Sequence, residues 1–357
     1  MKVLHVCETA KGGTATYLAT LIPLLCEHMG PGNVRLLLPQ QHRAELSSID
    51  PSILSFFDRP GRLKGLPHFF VAVFLSLRRF RPDVVHAHST FAGIVSRLLS
   101  PFFRVPVVYC PHGWAMDIEQ GALQRRFISW IEVALSFLCR KIIAVSEHER
   151  RRGLALGLAP GKIVTIYNGL ACEGPCVRAA PWDDARLNVL FAGRLDRQKG
   201  PDILLRAVEG LEDRLSVRLI GAPVRGDATP MTSVGAHVAF LGWQSRDVVA
   251  AHMKACDVVV VPSRWEGFGY VALEAMQQAK PVIASSVGGL LELVEDGKTG
   301  ILFPPGDAGR LKTILATVDR SSLREMGLAG RRRFLDKFTA ARLAPLIEAV
   351  YAEAVHG

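Results

Sequence analysis

Hydrophobic positions in the first half of the chain fall into short runs, separated by stretches with a helical period. The runs rich in β-branched and aliphatic residues are typical of strands and lie at residues 3–6, 34–38, 84–86, 107–110, 142–145 and 163–167. Helical stretches separate them, for example residues 16–27 and 91–99. Because these strands are apolar throughout and alternate with helices, we predict an α/β domain whose parallel sheet is covered on both faces.

The alternation is interrupted once, at residues 171–186, which have no hydrophobic period and contain Gly and Pro. This composition favours an interdomain linker. Further strand-like runs follow at residues 187–192, 217–220, 238–241, 257–261, 281–284 and 300–303, and an amphipathic stretch, 340–354, comes last. The pattern predicts two Rossmann-like domains, residues 1–170 and 187–339, and a terminal helix within 340–357. A length of 357 residues agrees with two domains.

The most informative segment for chemistry is residues 262–276, where an apolar strand runs into a glycine-bearing loop that opens a helix. Glu266 and Glu274 flank this turn with seven residues between them. The unpaired N–H groups and positive dipole end of a helix N-terminus favour an anion such as a diphosphate. A carboxylate farther along can accept hydrogen bonds from ribose hydroxyls. We therefore predict a site for a phosphorylated and polyhydroxylated ligand, although Glu274 could instead stabilise the helix dipole.

Other chemistry-bearing residues follow predicted strands, and ligands of parallel sheets bind at that end of the strands. Gly12 and Gly13 follow the first strand and allow a ligand to approach the backbone, or simply form a tight turn. His112 lies between Pro and Gly after a later strand, where a functional and a structural role are both open. For His86 and His88 a capping or core role is as well supported as a functional one. No G-x-G-x-x-G follows the first strand, which argues against a nicotinamide dehydrogenase.

In sequence order, these segments resemble the E-x7-E signature and associated motifs of retaining, nucleotide-sugar-dependent glycosyltransferases with the GT-B fold. The resemblance covers nearly the whole chain. Besides the Glu266/Glu274 segment, the matching pieces are Gly12-Gly13, residues 83–88, Pro111-His112-Gly113, residues 145–147, residues 167–169, Gly193-Arg194-Leu195 with Lys199-Gly200, and Gly288-Gly289. The resemblance implies an acceptor-binding first domain, a donor-binding second domain facing it across a cleft, and a terminal helix that crosses back to the first domain.

The resemblance also implies a role for each matching residue. Glu266 and the amides of Gly267, Phe268 and Gly269 would contact the donor sugar, and amides near Tyr270 and Val271 would hold its phosphates. Glu274 would bind the ribose, and His112 would orient the sugar. Arg194 and Lys199 would stabilise the charge of the departing diphosphate; a solvated basic loop is the alternative. Trp243, after another strand, is either part of a base pocket or part of the core.

No metal or other cofactor is expected, because the two cations can do the work of a metal and no Asp-x-Asp motif is present. The pair Cys172 and Cys176 lacks a second Cys/His pair of suitable spacing, which argues against a zinc site. The seven cysteines are otherwise scattered, and the first residues lack the pattern of a secretory signal, so we expect a cytoplasmic protein with reduced thiols.

The net charge of +10, with a pI near 9.5, predicts anionic partners. Its distribution favours a membrane over nucleic acid, whose binding motifs are missing. The apolar stretch 66–77 is too short to span a bilayer, but it would suit a helix lying in the interface, since it is flanked by basic residues. These are Arg59, Arg62, Lys64, Arg78, Arg79 and Arg81, and a second candidate is 125–130. A buried helix with basic ends is the alternative.

Together these features predict transfer of a hexosyl unit from a nucleotide sugar to a hydroxyl of a glycan acceptor, with retention of configuration. A UDP-sugar is the favoured donor and GDP-mannose the second. The charge suggests a lipid-linked acceptor in cell-surface polysaccharide biosynthesis, at the inner face of the membrane. The alternatives are a sugar-nucleotide epimerase of the same fold and a non-catalytic nucleotide-sugar-binding protein.

Overall fold

The computed structural model describes residues 1–59, 61, 65–182, 185–223 and 235–357. They form two compact units, one of Met1–Gly169 with Ala340–Gly357 and one of Leu170–Thr339. The predicted bases Arg62 and Lys64 lie outside the described residues. The described part of the predicted linker, 171–182 and 185–186, contains no helix or strand.

Each unit is built on one parallel sheet. The strands are β1 (Val3–Cys7), β2 (Val34–Pro39), β3 (Leu54–Phe57), β4 (Val84–His88), β5 (Val107–Cys110), β6 (Lys141–Ala144), β7 (Ile163–Thr165), β8 (Leu187–Ala192), β9 (Leu215–Ile220), β10 (Val238–Phe240), β11 (Val258–Val261), β12 (Val282–Ser285) and β13 (Gly300–Phe303). The first sheet has the order β3-β2-β1-β4-β5-β6-β7 and the second β10-β9-β8-β11-β12-β13. The predicted α/β fold with two Rossmann-like sheets is confirmed.

Most of the helices lie between two strands along the chain, and the last three follow the final strand. They are α1 (Gly13–Met29), α2 (Leu66–Phe80), α3 (Thr90–Phe103), α4 (Ala122–Ser136), α5 (Glu147–Ala155), α6 (Pro201–Val208), α7 (Arg246–Ala255), α8 (Tyr270–Gln277), α9 (Leu290–Leu293), α10 (Ala308–Thr317), α11 (Arg320–Lys337) and α12 (Leu343–His356). The sequence pattern missed β3 because this edge strand is short and, apart from Phe57, only partly buried. The central strands were found because they are buried along their whole length, so that their residues are apolar apart from the histidines of β1 and β4.

The terminal helix α12 packs on the first unit, as the resemblance implied. Ile347 and Tyr351 are fully buried, and the Tyr351 hydroxyl lies 2.7 Å from Nδ1 of His86. At the surface, Glu348 pairs with His28 of α1 at 2.9 Å. A helix that is distant in sequence from α1 and β4 therefore completes the core of the first unit.

Helix α2 contains the stretch for which we weighed membrane contact against burial. One face, with Phe69, Val73 and Leu77, is buried in the core. The opposite face exposes Phe70 and Val71. The helix is therefore neither fully buried nor fully exposed, because its buried residues recur with the helical period and occupy one side only. Among the residues that the structure describes, no helix is both long and apolar enough to cross a bilayer.

A buried ion pair links α3 to α4. Nη2 of Arg97 lies 2.9 Å from Oε2 of Glu132, and both side chains are at most 1% exposed. The Tyr109 hydroxyl of β5 donates to Oε1 of Glu132 at 3.1 Å, and the guanidinium stacks 4.2 Å from the centroid of the Tyr109 ring. The pair joins α3 to α4, and both charged groups contact Tyr109 of β5, so the pair helps to fix the two helices on the sheet.

Replacing Glu132 with Ala should destabilise the protein strongly, because it leaves the Arg97 charge buried without its partner. Removing one member of a buried pair costs about 3–5 kcal/mol. Urea unfolding followed by circular dichroism would measure the loss. Glu353→Ala is the matched control, since Glu353 pairs with Lys141 at the surface, where a pair contributes about 1 kcal/mol or less. Equal losses in the two variants would contradict the structural role of the buried pair.

Candidate functional site

In the second unit, the loops after β8 and β11 bring together the predicted Lys199 and Glu266. Nζ of Lys199 lies 2.5 Å from Oε2 of Glu266, and Ser263 Oγ donates to the same oxygen at 3.2 Å. The Glu266 side chain is 11% exposed and that of Lys199 is 22% exposed. Two donors thus fix one carboxylate oxygen, which leaves the orientation of the carboxylate well defined. Ser263 was missed by sequence reasoning, although it stands three residues before Glu266.

The backbone beneath Glu266 depends on Gly288 in the loop after β12. Gly288 has a φ of +52°, and a Cβ there would lie 1.8 Å from the Glu266 carbonyl oxygen. The N–H of Gly289 donates to that same oxygen at 3.3 Å. Only glycine at position 288 allows the two loops to touch, so the Gly288-Gly289 motif acts as a support for Glu266.

Arg194 lies on the same loop as Lys199. Its Nε pairs with Oδ2 of Asp196 at 2.7 Å, and its Nη2 donates to Gln198 at 2.5 Å. Both predicted cations are therefore held by neighbouring polar groups. The alternative of a merely solvated basic loop does not describe them, and their contact with a phosphate stays a prediction.

Helix α8 begins directly after Gly269, with Tyr270 and Val271 as its first residues. No side chain caps its N-terminus within the described part of the chain. Phe268 is 4% exposed, and its ring packs edge-on against Tyr270, with centroids 6.0 Å apart. Packing thus explains the Phe268 side chain, whereas the backbone amides of this turn point along the helix start, where an anion is favoured.

Glu274 is the fifth residue of α8, and the first turn contains no acidic residue. The alternative that Glu274 stabilises the helix dipole from the first turn is therefore wrong. Burial raises the pKa of its carboxyl group to about 7, against the opposing effect of Arg246. A carboxyl group with this pKa exchanges its proton near neutrality, and hydroxyl donors would favour its ionised form.

Trp243 follows β10 and is 54% exposed. The alternative that it belongs to the core is wrong. An exposed indole beyond a strand end is available for stacking on a flat ring, and its place in a base pocket stays a prediction.

In the first unit, Gly12 and Gly13 form the start of α1. Gly12 is the N-cap with a φ of +56°, and a Cβ there would meet no heavy atom within 4 Å. Glycine is thus favoured by backbone conformation and not by crowding, and the turn remains open to a ligand. Five residues separate β1 from α1, and ligand contact at the glycines stays a prediction.

Glu8, which sequence reasoning did not single out, directly follows β1 and is only 5% exposed. It forms an ion pair with Arg59, whose Nη1 also donates to Thr9 at 3.0 Å. Arg59 is one of the bases that precede α2, and its charge is paired with Glu8 just after β1. A carboxylate directly after a buried strand was the available signal.

His112 ends a chain of histidines that runs through the sheet. Nδ1 of His5 lies 3.0 Å from Nε2 of His88, and Nδ1 of His88 lies 3.0 Å from Nε2 of His112. Burial lowers the pKa of His112 to about 3, so its ring is neutral. Its loop is held by Glu149, which accepts the N–H of Gly113 at 2.6 Å. His112 can therefore act as a hydrogen-bonding group and not as a fixed cation.

The direction of donation along the histidine chain follows from its buried end. Each neutral ring carries one N–H, and Nε2 of His5 is buried without a partner. Buried N–H groups without partners are rarer than buried acceptors without partners. We therefore assign the proton of His5 to Nδ1, from where donation runs through His88 to His112. This leaves the N–H of His112 on Nδ1, which lies 3.6 Å from the sulfur of Cys110.

His5, His86 and His88 are also the one group of described residues with a spacing that suits a metal ion, since their ligand atoms lie within 4.8 Å of one another. Sequence reasoning missed His5. The signal was present in part, because His86 and His88 are two residues apart on one strand and so share a face. Their core position is confirmed. Cys172 and Cys176 are exposed and belong to no such group in the described chain.

Comparison with known proteins gives a consistent result. Residues 186–318 match the family model of glycosyl transferases group 1, and residues 11–173 match that of glycosyltransferase family 4. A D-inositol 3-phosphate glycosyltransferase of Catenulispora acidiphila is 31% identical, over 77% of this chain and 73% of its own. An uncharacterized 41.2 kDa protein in the cps region of Klebsiella pneumoniae is 29% identical, over 88% of this chain and 89% of its own.

Among solved structures, Anabaena HepE in complex with UDP has a similar fold. The TM-score is 0.81 at 23% identity, and the alignment covers 99% of this chain and 100% of HepE. HepE has also been solved in complex with UDP-glucose.

The raised pKa of Glu274 predicts a pH-dependent stability. A carboxyl group whose pKa rises from about 4.5 to about 7 on folding binds more protons in the folded state, so its contribution to stability falls as pH increases between these values. Glu274→Gln should remove this loss. The free energy of unfolding of the variant, relative to that of the wild type, should therefore rise by about 1–3 kcal/mol between pH 5 and pH 8. Urea unfolding at both pH values would measure the gain. Exposed Glu325→Gln is the control, and a pH-independent difference for Glu274→Gln would refute the shift.

Proposed function

Because the chain belongs to the group 1 glycosyltransferases with the GT-B fold, we propose that it transfers a hexosyl unit from a nucleoside diphosphate sugar to a hydroxyl group of a glycan acceptor, with retention of configuration. The observation that carries this proposal is the fixed carboxylate of Glu266 beside Lys199, at the loop that opens α8.

Each part of this site suits one part of a nucleotide sugar. The free oxygen of Glu266 would accept hydrogen bonds from the hexose hydroxyls. The amides of Gly267, Phe268 and Gly269 would donate hydrogen bonds to them. The amides of Tyr270 and Val271 at the start of α8 would hold the diphosphate. Glu274 would bind the ribose hydroxyls in its ionised form, which those donors stabilise.

In the transfer step, the bond between the anomeric carbon and the phosphate oxygen breaks, and a bond from the acceptor oxygen forms on the same face. The acceptor proton passes to the leaving phosphate. Arg194 and Lys199 would stabilise the charge that grows on that phosphate, where fixed cations are most effective. His112, which is neutral, would orient the donor sugar and need not act as a base.

A UDP-sugar is the favoured donor, with GDP-mannose second. The support is the binding of UDP and UDP-glucose by the structural neighbour HepE, together with an exposed Trp243 suited to stacking on a base. The acceptor we propose is lipid-linked, in the assembly of a cell-surface polysaccharide at the cytoplasmic face of the membrane. The support is the net charge of +10 and the similarity to a protein of a cps region.

The donor site is tested by thermal shift with UDP, GDP, ADP and their hexose conjugates. A ligand at one hundred times its dissociation constant stabilises the folded state by about 2.7 kcal/mol. We expect the largest stabilisation from UDP or a UDP-hexose in the wild type and loss of most of it in Glu274→Ala. The control is Lys298→Ala, an exposed change in the same unit that should leave the shift intact. No stabilisation by any nucleotide would contradict the proposal.

The reaction is then tested by product analysis with the stabilising sugar nucleotide. We expect UDP release to rise on addition of a detergent extract of bacterial lipid-linked glycans, and to fall at least tenfold in Lys199→Ala and Glu266→Gln but not in Lys298→Ala. Conversion of the donor to another sugar nucleotide without acceptor would identify an epimerase. Intact cellular function in Lys199→Ala and Glu266→Ala would favour the non-catalytic binding protein.

Metal removal should leave transfer unchanged, because the proposed charge stabilisation comes from Arg194 and Lys199. The experiment is dialysis of the purified protein against EDTA and 1,10-phenanthroline, followed by metal analysis and the same release assay. Loss of one equivalent of metal together with activity would contradict this expectation. His5, His86 and His88 would then be the first ligands to test.

A further inference from the structure

Helices α2, α3 and α4 form one layer on the first sheet. They lead into β4, β5 and β6, which follow one another in the sheet, so the chain moves across the sheet in the same direction at all three helices. Because crossovers between parallel strands are right-handed, all three helices lie on one side of the sheet. The rings of Phe74 on α2 and Phe103 on α3 meet at 5.2 Å, and the Arg97–Glu132 pair joins α3 to α4. We call the outer surface of these helices the three-helix face.

The three-helix face exposes many large apolar side chains. Their exposed fractions run from 37% to 84%, and they are Phe70, Val71, Phe74, Leu98, Phe102, Leu123, Phe127, Trp130, Phe137 and Leu138. Soluble surfaces seldom gather so many in one place, and such patches mark interaction sites.

The densest part is a stripe along α4. Leu123, Phe127 and Trp130 are spaced by four and three residues, which aligns them on one side of the helix. They are 84%, 62% and 67% exposed, and the rings of Phe127 and Trp130 lie 6.5 Å apart in a stacked orientation. Packing within the chain does not explain them, because the core side of α4 is formed by other residues such as Glu132 and Ser136.

The exposed charges on these helices are all positive. Glu132 is the one acidic residue in α2, α3 and α4, and it is buried against Arg97. The exposed bases on the helices or at their ends are Arg78, Arg79, Arg81, Arg104, Arg125 and Arg126. An apolar surface with only positive charge is complementary to an anionic lipid surface, where bases meet phosphates and aromatic rings enter the headgroup boundary.

We propose that the three-helix face docks this protein on an anionic lipid bilayer, with Leu123, Phe127 and Trp130 inserted at the headgroup boundary, Arg126 beside them on lipid phosphates, and the exposed Arg125 adding to the positive charge. This assigns the main contact to α4, whereas the sequence had favoured α2, whose apolar residues are partly used in the core. The 15 residues of α4 are too few to span a bilayer, so the helix lies along the surface.

A second copy of this chain is a less suitable occupant. A two-fold contact brings the same patch of each copy together. Arginines would then face arginines, and the helices offer no exposed carboxylate to pair with them.

The docking stands independently of the transfer reaction, but it would serve the proposed lipid-linked acceptor. The chain runs from β5 through His112 directly to α4, so the His112 loop adjoins the N-terminal end of the docked helix.

The test is flotation of the full chain with vesicles of phosphatidylcholine alone and with 30% phosphatidylglycerol. We expect binding to the anionic vesicles, at least tenfold weaker binding to the neutral ones, and weakening by salt. Arg125→Gln with Arg126→Gln should lower binding about tenfold. The matched control, Arg324→Gln with Arg332→Gln on α11, removes the same net charge from exposed positions and should change binding less than twofold.

The apolar part is tested by Phe127→Ser with Trp130→Ser, matched by Leu328→Ser with Leu335→Ser on α11, which are 50% and 43% exposed. The α4 pair should lose at least tenfold in binding, with thermal melting unchanged, and brominated lipid should quench wild-type tryptophan fluorescence but not that of Trp130→Phe. An equal loss in the arginine control would overturn the proposal in favour of general charge attraction, and an equal loss in the leucine control would overturn it in favour of non-specific hydrophobic binding. Absence of vesicle binding, with a dimer in sedimentation that the α4 pair abolishes, would overturn it in favour of a second copy.

Discussion

The burial of parallel strands on both faces is the constraint on which the rest of this structure depends. Parallel strands are joined by crossovers, so all strands of a sheet point the same way. The loops that follow the strands therefore lie together at the carboxyl edge of the sheet. In the second unit this edge brings Lys199 and Glu266 into contact although 67 residues separate them. In the second unit, the predicted site residues thus lie in loops and at the start of a helix, while the strands are mainly apolar.

Contacts between loops, together with one inside the loop after β11, give the candidate site its geometry. Gly288 lies against the carbonyl of Glu266, and Lys199 and Ser263 hold its carboxylate. The Glu266 side chain is therefore already ordered before a ligand binds, which lowers the entropic cost of binding. For Glu274, by contrast, burial raises the pKa of the carboxyl group to about 7, so the group gains and loses its proton near neutral pH.

The first unit places polar groups where its core would otherwise be apolar. The histidines of β1 and β4 are neutral because they are buried. His5 and His88 form a hydrogen-bonded chain to His112 of the β5 loop, and beside this chain His86 pairs with Tyr351 of the terminal helix. On the outside of the same sheet, the three-helix face keeps large apolar residues exposed. Both features cost stability in a protein selected for folding alone.

The sequence by itself determined the two series of strands, the Rossmann-like sheets, and the Glu266/Glu274 and glycine motifs, because these depend on local hydrophobic period and on spacing within one turn. Only the tertiary structure decided that His5 meets His88, 83 residues away, that Arg59 is taken by Glu8, and that Trp243 is exposed. The physical reason is that strand order, side-chain partners and solvent exposure arise from contacts between distant segments. The local pattern constrains which face of a strand is buried but not which residues meet there.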